Sequence, residues 1–523
     1  MSSYDYVIVG AGSAGCVLAA RLSEDPAVSV ALIEAGGPDA AEEIHLPIAW
    51  SELFKGPYDW DLDSEPEPGL NDRRLYLPRG KVLGGCSSVN AMIYMRGAPA
   101  DYAGWAAGGA AGWGYDDVLP YFRRSEDNER GADRYHGAGG PLTVSDSRSR
   151  HPLAASFVAA AVQAGYPANH DFNGESQEGV GFFQLTQRGG MRCSTSVAFL
   201  APALARPNLT VITAALAHRV TFDGSRAAGV EVSRDGQLET IRAEREVIIS
   251  AGSYETPKLL MLSGVGPAGA LAAFGVEVRA DLPAGQGLQD HLLVLVNYTT
   301  DVESLMTALT PESIELLEAE GRGPLTSNLA EAGGFFRTRA TLAGPDVQLH
   351  MAPVMSYQEN LGAPTAHALA FGPCPVAPTS RGEVTLRTAN PQSAPRIRHN
   401  YLATPEDRAS MIAGLRIALD IAAQPALADI ITGPFEVPAS DSDADLLAFA
   451  RQTGLTLYHP TSTCPIGSVV DAELRVLGTE GLRIADASVM PSIVRGNTNA
   501  PTIMIAERAA DLIRGRAPAP PAP

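Results

Sequence analysis

The feature that most constrains the fold is a glycine-rich turn between an apolar segment and a helix-like segment near the start of the chain. Residues 4–9 form an apolar run that is typical of a buried parallel strand. The turn Gly10 to Gly15 reads Gly-Ala-Gly-Ser-Ala-Gly, and residues 16–22 after it have a composition that favours a helix. Because glycine permits a tight turn and lets the backbone approach a pyrophosphate, this order predicts a Rossmann-like unit.

An acidic residue stands where such a unit needs one. A second apolar run, residues 28–33, ends at Glu34, which follows Gly15 by 19 residues. That spacing is close to the one at which a carboxylate reaches a ribose hydroxyl, and the helix N-terminus offers free N–H groups to a phosphate. The sequence predicts an adenine-dinucleotide site and leaves FAD and NAD both open. The residues predicted to contact the cofactor here are Gly10, Gly12, Ser13, Ala14, Gly15, Glu34 and Ala35.

Length and charge exclude several classes of protein. A chain of 523 residues exceeds one small core and predicts two intertwined domains. A formal net charge of −20 argues against binding to nucleic acid or to an anionic membrane. No apolar run is long enough to predict a membrane span, and no secretory signal is visible. Five scattered cysteines without a Cys-x-x-Cys pair favour reduced thiols in the cytoplasm over disulfides or a zinc site.

Further motifs follow the glycine turn along the chain. A second glycine-rich segment covers residues 79–90, and its part from 84 to 90 reads Gly-Gly-Cys-Ser-Ser-Val-Asn. Residues 297–437 alternate short strand patterns with Pro/Gly loops and predict a separate sheet. The last part of the sequence resembles the first unit again: residues 482–486 have the pattern of a strand, and residues 503–513 have the pattern of a helix.

These motifs, taken together and in this order, resemble the glucose–methanol–choline (GMC) oxidoreductase family of flavoenzymes. The resemblance runs from Tyr4 to about Arg514. It implies that the cofactor is FAD. It also implies an α/β fold in which a Rossmann-like FAD-binding domain is interleaved with an α+β substrate-binding domain built on an antiparallel sheet. The segments that carry the resemblance are residues 10–15, 34–36, 84–90, 251–257, 262–266, 287–291, 458–467 and 496–502.

The resemblance also implies domain boundaries. Residues 1–295 are expected to form the FAD-binding region, with excursions into the substrate domain. Residues 296–450 are expected to form most of the substrate-binding domain. Residues 451–515 are expected to return to the FAD domain with the catalytic His and Asn, and 516–523 to form a disordered tail.

Cofactor contacts outside the first turn are implied residue by residue. The second glycine segment is expected along the pyrophosphate and the flavin ring, Val220 at the adenine, and Asp486 with Ala487 at the ribityl chain or phosphates. Val89 stands where some relatives attach the flavin through a histidine, so a dissociable, non-covalent FAD is predicted. The residues implied here are Gly84, Gly85, Ser88, Asn90, Ala91, Val220, Tyr458, Asp486, Ala487 and Asn499.

The implied catalytic pair is His459 with Asn497. Histidine suits a general base because its ordinary pKa lies near neutrality. Asn499 is the alternative to Asn497, because the Asn-Thr-Asn sequence leaves the register open. His291 lies in a family motif but is interpreted as architectural, and the remaining histidines receive no role.

The implied function is oxidation of a primary or benzylic alcohol to the aldehyde or ketone, by hydride transfer to flavin N5 with His459 as the base. The electron acceptor is left open between oxygen, a quinone and an electron-transfer protein. The alternative is a non-redox, FAD-containing lyase of the hydroxynitrile-lyase kind, because fold does not fix function. A light-driven decarboxylase is less favoured, and the lack of a Gly-x-Ser-x-Gly motif argues against a serine hydrolase.

Overall fold

The structure is a computed structural model that describes residues 2–517 and residue 519. Of the predicted tail at 516–523, residues 518 and 520–523 lie outside the described residues. The α-helices are α1 Ser13–Leu22, α2 Glu42–His45, α3 Pro99–Ala107, α4 Tyr115–Ser125, α5 Pro152–Gln163, α6 Ala201–Ala203, α7 Gly252–Leu262, α8 Ala268–Ala273, α9 Pro311–Glu320, α10 Pro405–Ala422, α11 Pro425–Ala428, α12 Asp443–Thr453 and α13 Asn499–Ile513.

The strands fall into two main sheets and several short ladders. They are β1 Ser3–Val9, β2 Val30–Ile33, β3 Leu62–Asp63, β4 Tyr76–Leu77, β5 Glu126–Asn128, β6 Leu142–Asp146, β7 Gly179–Phe182, β8 Gln184–Leu185, β9 Gln187–Arg188, β10 Met191–Arg192, β11 Leu209–Ile212, β12 Ala215–Asp223, β13 Arg226–Arg234, β14 Gln237–Ile249, β15 Val265–Gly266, β16 Ala280–Asp281, β17 Gln286–Leu288, β18 Leu292–Leu293, β19 Val296–Thr300, β20 Ala332–Phe336, β21 Val347–Ala352, β22 Ala368–Pro375, β23 Gly382–Thr385, β24 Arg396–Arg398, β25 Ile431–Glu436, β26 Leu455–Thr456 and β27 Leu482–Ile484.

The first sheet has a parallel centre made from distant parts of the chain. Its order is β11-β2-β1-β14-β13-β12, and β27 also pairs with β14. The strands β11, β2, β1, β14 and β27 are parallel, whereas β13 and β12 add an antiparallel hairpin. All four residues of β2 are buried, as expected for a parallel strand with both faces covered. This is the Rossmann-like sheet that the glycine turn predicts.

Helix α1 packs between the first sheet and α13. Ten residues long, it begins directly after Gly12 and buries nearly all of its side chains. Arg21 pairs with the fully buried carboxylate of Glu507 on α13 at 2.7 Å, which ties the last helix to the first. Gly15 makes the helix–strand contact possible, because a Cβ there would lie 1.8 Å from the carbonyl oxygen of Gly10.

The second sheet is antiparallel and has the order β25-β19-β22-β21-β20-β7. Strand β7 comes from the part of the chain between β2 and β11 of the first sheet, so segments of the two sheets alternate along the sequence. Val347 and Leu349 of β21 belong to the apolar cluster that also contains side chains of α5 and α10. The intervening Gln348 and His350 point to the other face, because successive side chains of a strand alternate.

The predicted fold class is confirmed: a Rossmann-like unit is interleaved with an α+β part built on an antiparallel sheet. Within the described residues, the structure contains no helix that is both long and apolar enough to cross a membrane.

The close approach at Gly15 yields a prediction about stability. Substituting Gly15→Ala is expected to lower the free energy of unfolding of the apoprotein by about 3 kcal/mol, because the new methyl group overlaps the backbone of Gly10. Thermal and urea unfolding followed by circular dichroism would measure it.

The matched control is Gly12→Ala in the same turn. A Cβ at Gly12 meets only the Cα of Gly85, at 3.9 Å, so this variant should unfold within about 1 kcal/mol of the wild type. Equal stability of the two variants would contradict the packing role of Gly15.

Candidate active site

A cavity of about 720 Å³ extends from the end of the first sheet to the face of the second sheet that carries His350. It brings together most of the residues predicted from the sequence. The predicted residues that line it are Gly10, Gly12, Ser13, Ala14, Glu34, Ala35, Gly85, Asn90, Ala91, Tyr458, His459, Asp486, Ala487, Asn497 and Asn499.

One end of this cavity is formed by the two glycine-rich segments in contact with each other. Gly85 has a φ of +51°, and a Cβ there would lie 2.6 Å from the Cα of Gly12. Gly12 caps α1 without any side-chain hydrogen bond, so the first N–H groups of the helix lack a side-chain partner. A glycine cradle at an uncapped helix N-terminus is suited to bind a phosphate group.

Glu34 shapes the same end through its buried carboxylate. Its two oxygens accept hydrogen bonds from the backbone N–H groups of Ala11 and Gly36, at 2.9 and 2.8 Å. Burial raises the pKa of Glu34, and these N–H groups oppose that shift. The carboxylate therefore holds the two loops together and lines the cavity at the position predicted for a ribose contact.

Four predicted cofactor residues lie outside the cavity lining: Gly15, Gly84, Ser88 and Val220. Gly15 serves helix packing, the N–H of Gly84 donates to the carbonyl of Ala11, and the hydroxyl of Ser88 donates to the carbonyl of Leu83. The N–H of Val220 donates to Ser263 Oγ at 2.8 Å and is not free for a ligand. The part of β12 that lines the cavity is 215–217, and a shift in its pairing between Ala217 and Arg219 separates it from Val220.

Asp486 and Asn499 organise the middle of the cavity. The carboxylate of Asp486 accepts hydrogen bonds from Gly252 N–H, at 2.9 Å, and from the hydroxyl of Thr256, at 2.6 Å. Asn499 accepts a hydrogen bond from Ser13 Oγ at 2.7 Å, so the start of α13 is fixed to the start of α1. The uncapped start of α1 and the contact of Gly12 with Gly85 fit the phosphate groups of an FAD molecule.

His459 lies at the other end and is held by a buried carboxylate. Its backbone N–H donates to Asp290 Oδ1 at 2.7 Å. Asp290 Oδ2 accepts hydrogen bonds from the hydroxyls of Tyr401 and Thr456. Tyr458, directly before the histidine, has a φ of +68°, a left-handed conformation that is uncommon for a non-glycine residue. These contacts fix the position of the His459 ring.

The ring of His459 stands between Asn497 and a second histidine. Its Nε2 lies 3.2 Å from Asn497 Nδ2, and its Nδ1 lies 3.0 Å from His291 Nδ1. The amide oxygen of Asn497 lies 3.3 Å from Gln348 Nε2, which directs the NH2 group of Asn497 toward His459. Because Asn497 then donates to Nε2, the neutral ring carries its proton on Nδ1 and donates it to His291.

Three buried histidines share this end of the site: His291, His350 and His459. Burial lowers the pKa of His291 to about 4 and that of His350 to about 3. Burial lowers the pKa of His459 well below its ordinary value, and the neighbouring His291, His350 and Arg79 lower it further. All three rings are therefore neutral at pH 7.

Several site residues were missed from the sequence. His350 and Gln348 come from β21 and reach the site only because the second sheet pairs as it does. Arg79 also lines the cavity, and its Nη2 donates to the carbonyl oxygen of Tyr458 at 2.7 Å. Its place at the start of the second glycine-rich segment was the one available signal.

The fold and the site define an FAD-dependent oxidoreductase that acts on CH–OH groups. The family model described as GMC oxidoreductase matches residues 4–293 in its N-terminal part and residues 378–506 in its C-terminal part. This chain belongs to the GMC oxidoreductase family, which confirms the resemblance drawn from the sequence.

Three known proteins illustrate the similarity. Mitochondrial choline dehydrogenase of Homo sapiens is 44% identical, over 98% of this chain and 90% of that protein. Alcohol dehydrogenase (acceptor) of Pseudomonas putida is 42% identical, over 98% and 95%. A solved structure of Aspergillus oryzae formate oxidase, from work on its FAD modification, has a TM-score of 0.91, with 29% identity and 98% coverage of each chain.

The neutral histidines predict how stability depends on pH. When the pKa of a histidine is lower in the folded state than in the unfolded state, the unfolded state binds the proton more readily. The folded protein therefore loses stability as the pH falls below 6.5, the pKa of an unfolded histidine. For His350 we expect a loss of about 2 kcal/mol between pH 7 and pH 5. Replacing His350→Phe should reduce the pH dependence of the unfolding free energy by that amount, as measured by urea unfolding of the apoprotein at both pH values.

Phenylalanine is the suitable replacement because the buried Nε2 atom of His350 has no hydrogen-bond partner in the described residues, and the ring packs against Phe183. The same pH dependence in both proteins would show that the pKa of His350 is not lowered in the folded state.

Proposed function

We propose that this chain oxidises a primary alcohol, aliphatic or benzylic, to the aldehyde, with His459 as the general base. The observation that supports this most directly is the pair of His459 Nε2 and Asn497 Nδ2, 3.2 Å apart at one end of the cavity. Removal of a hydroxyl proton requires a base, and a hydrogen-bond donor beside that base can hold the substrate oxygen.

The protonation state of His459 supports the role of a base. Its depressed pKa keeps the imidazole neutral, and Nε2 carries the lone pair that would accept the proton. The N–H on Nδ1 donates to His291, which keeps the ring in the tautomer that this role needs. The amide of Asn497 does not titrate, so it would orient the substrate oxygen and not transfer protons.

The cofactor would be held by this chain without a covalent bond. The proposed contacts are the Gly12–Gly85 cradle, the first turn of α1, Glu34 and Asp486. Val89 lines the cavity and its side chain has no atom that could bond to a flavin. When bound, FAD accepts the two electrons and the hydrogen that leave the substrate carbon.

The first experiment is an anaerobic absorbance spectrum of the purified protein before and after adding a panel of alcohols. Bleaching of the flavin absorbance by one alcohol would support the proposal, and admitting air would then separate oxygen from a quinone or an electron-transfer protein as acceptor. A flavin spectrum that no alcohol changes, with cyanide release from a hydroxynitrile, would favour the lyase instead.

The role of His459 predicts a large effect on turnover. The variant His459→Ala should lower kcat by about a hundredfold or more while FAD remains bound, because proton removal loses its acceptor. Steady-state kinetics and the flavin absorbance of the purified variant would measure both quantities. Added imidazole should restore part of the rate in a saturable way, whereas near-wild-type turnover without imidazole would refute the assignment.

The two asparagines predict different defects. Asn497→Ala should lower kcat by about tenfold or more with the FAD content unchanged, because it removes a donor beside the base. Asn499→Ala is the matched variant, and it should weaken FAD retention because it breaks the contact with Ser13. FAD release on dilution and kcat at saturating FAD would separate the two, and the reverse pattern would exchange the roles.

A further inference from the structure

One wall of the cavity is almost entirely apolar. We call the part lined by residues 293–364 the substrate wall. Its side chains belong largely to two buried hydrophobic clusters, one around Leu293 and Leu295 and one around Leu305, Leu325 and Val354. The apolar residues of this wall are Leu293, Leu295, Leu305, Met306, Ala308, Leu309, Leu325, Leu329, Ala330, Met351, Ala352, Val354, Met355 and Pro364.

The polar groups of the substrate wall are mostly satisfied by one another. Asn360 Nδ2 donates to the hydroxyl of Tyr458 at 2.9 Å, and Ser356 Oγ donates to Asn360 Oδ1. Among the described residues of this wall, none is Asp, Glu, Lys or Arg. His350, which is neutral, is the polar side chain that is left facing the cavity.

Carboxylates occur in the cavity lining, but they are placed where they cannot neutralise a buried cation. Glu34 and Asp486 are occupied by backbone N–H donors at the cofactor end. Glu255 pairs with Lys258 at 2.8 Å. The glutamates at 42, 43 and 52 are exposed to solvent, where a charge pair contributes little.

The carboxylate nearest to His459, that of Asp290, is occupied by hydrogen bonds from the His459 N–H and from the hydroxyls of Tyr401 and Thr456. A positive charge also lies close by, because Arg79 lines the cavity and donates to the carbonyl oxygen of Tyr458 at 2.7 Å. Trp50, Phe54 and Tyr458 form an edge-to-face cluster whose ring faces could attract a cation. The positive charge of the Arg79 guanidinium beside that cluster opposes such binding.

The substrate wall continues to the surface through apolar side chains. Leu309 is 76% exposed and Met306 is 37% exposed, and both line the cavity. Exposed apolar side chains that continue into a buried apolar wall form a path for an apolar molecule.

We propose that the substrate wall selects a neutral, apolar primary alcohol and rejects quaternary-ammonium alcohols such as choline. This inference rests on the proposed function and adds the class of substrate. It separates this chain from its relative of 44% identity that is named choline dehydrogenase. The reason is desolvation: a cation here would lose its water without gaining a counter-ion.

The test compares two alcohols of the same shape. Choline and 3,3-dimethylbutan-1-ol differ by a quaternary nitrogen in place of a carbon, so their ratio reports the charge alone. With the holoenzyme and a dye acceptor, we expect kcat/KM for the neutral alcohol to exceed that for choline by about a hundredfold. A ratio above ten supports the proposal, and a ratio of ten or less overturns it.

A binding measurement keeps the inference independent of turnover. In the His459→Gln holoenzyme, the difference spectrum of the bound flavin gives the Kd of each alcohol. Tighter binding of the neutral alcohol by tenfold or more supports the proposal, and any smaller preference, or a preference for choline, overturns it. If no alcohol is oxidised by the wild type, the proposed function fails, and this titration still decides the inference.

A substitution in the wall locates the effect. Met355 lines the cavity and is buried. Met355→Glu should lower kcat/KM for 3,3-dimethylbutan-1-ol by tenfold or more, and the control Met355→Gln should lower it less, because only the first adds a charge. Thermal unfolding and flavin content would show that both variants fold. Equal losses in the two variants would overturn the role of the wall, and the wild-type comparison does not depend on either variant.

Discussion

The close approach of backbone to backbone at the glycine turns is the constraint on which the rest of the structure depends. At Gly15 a single methyl group would overlap the carbonyl of Gly10, and at Gly85 it would overlap the Cα of Gly12. The first contact sets helix α1 against the sheet, and the second sets the loop after Arg79 against the start of α1. Together they leave a cradle at an uncapped helix N-terminus, which is where a phosphate group can bind.

The end of the cavity that contains His459 depends on a different interaction, in which the buried carboxylate of Asp290 holds the backbone of His459. Asp290 receives the N–H of His459 and the hydroxyls of Tyr401 and Thr456. It therefore anchors the segment that carries the base to the segment that carries His291. The left-handed conformation at Tyr458 is maintained by these surrounding contacts, and it turns the His459 ring toward Asn497.

The sequence was sufficient for features that depend on neighbours along the chain. The strand, the turn and helix α1 follow from residues 4–22 alone, because glycine position and hydrophobic period are local signals. The contact of Val220 with the adenine stays a prediction, and the part of β12 that lines the cavity is residues 215–217. The pairing of β12 with β13 is irregular after Ala217. Because this irregularity involves both strands, it cannot be predicted from the sequence pattern of one strand.

Features that depend on pairing between distant segments could not be predicted. Nothing near His350 or Gln348 marks them, and they reach the site only because β21 lies between β20 and β22 in the second sheet. The Asn-Thr-Asn sequence left two registers open. In the structure α13 begins at Asn499, so that residue contacts Ser13, while Asn497 remains in the preceding turn and faces His459.

The burial of His459 links the choice of base to the choice of substrate. Burial disfavours the imidazolium, which keeps the base neutral. Burial also disfavours any other cation at this end of the cavity, and Arg79 adds to both effects because its positive charge is close to the ring. A carboxylate in the substrate wall would stabilise a bound cationic alcohol. It would also raise the pKa of His459, so the base would stay protonated up to a higher pH. A site that keeps its histidine neutral by burial is therefore better suited to an uncharged substrate.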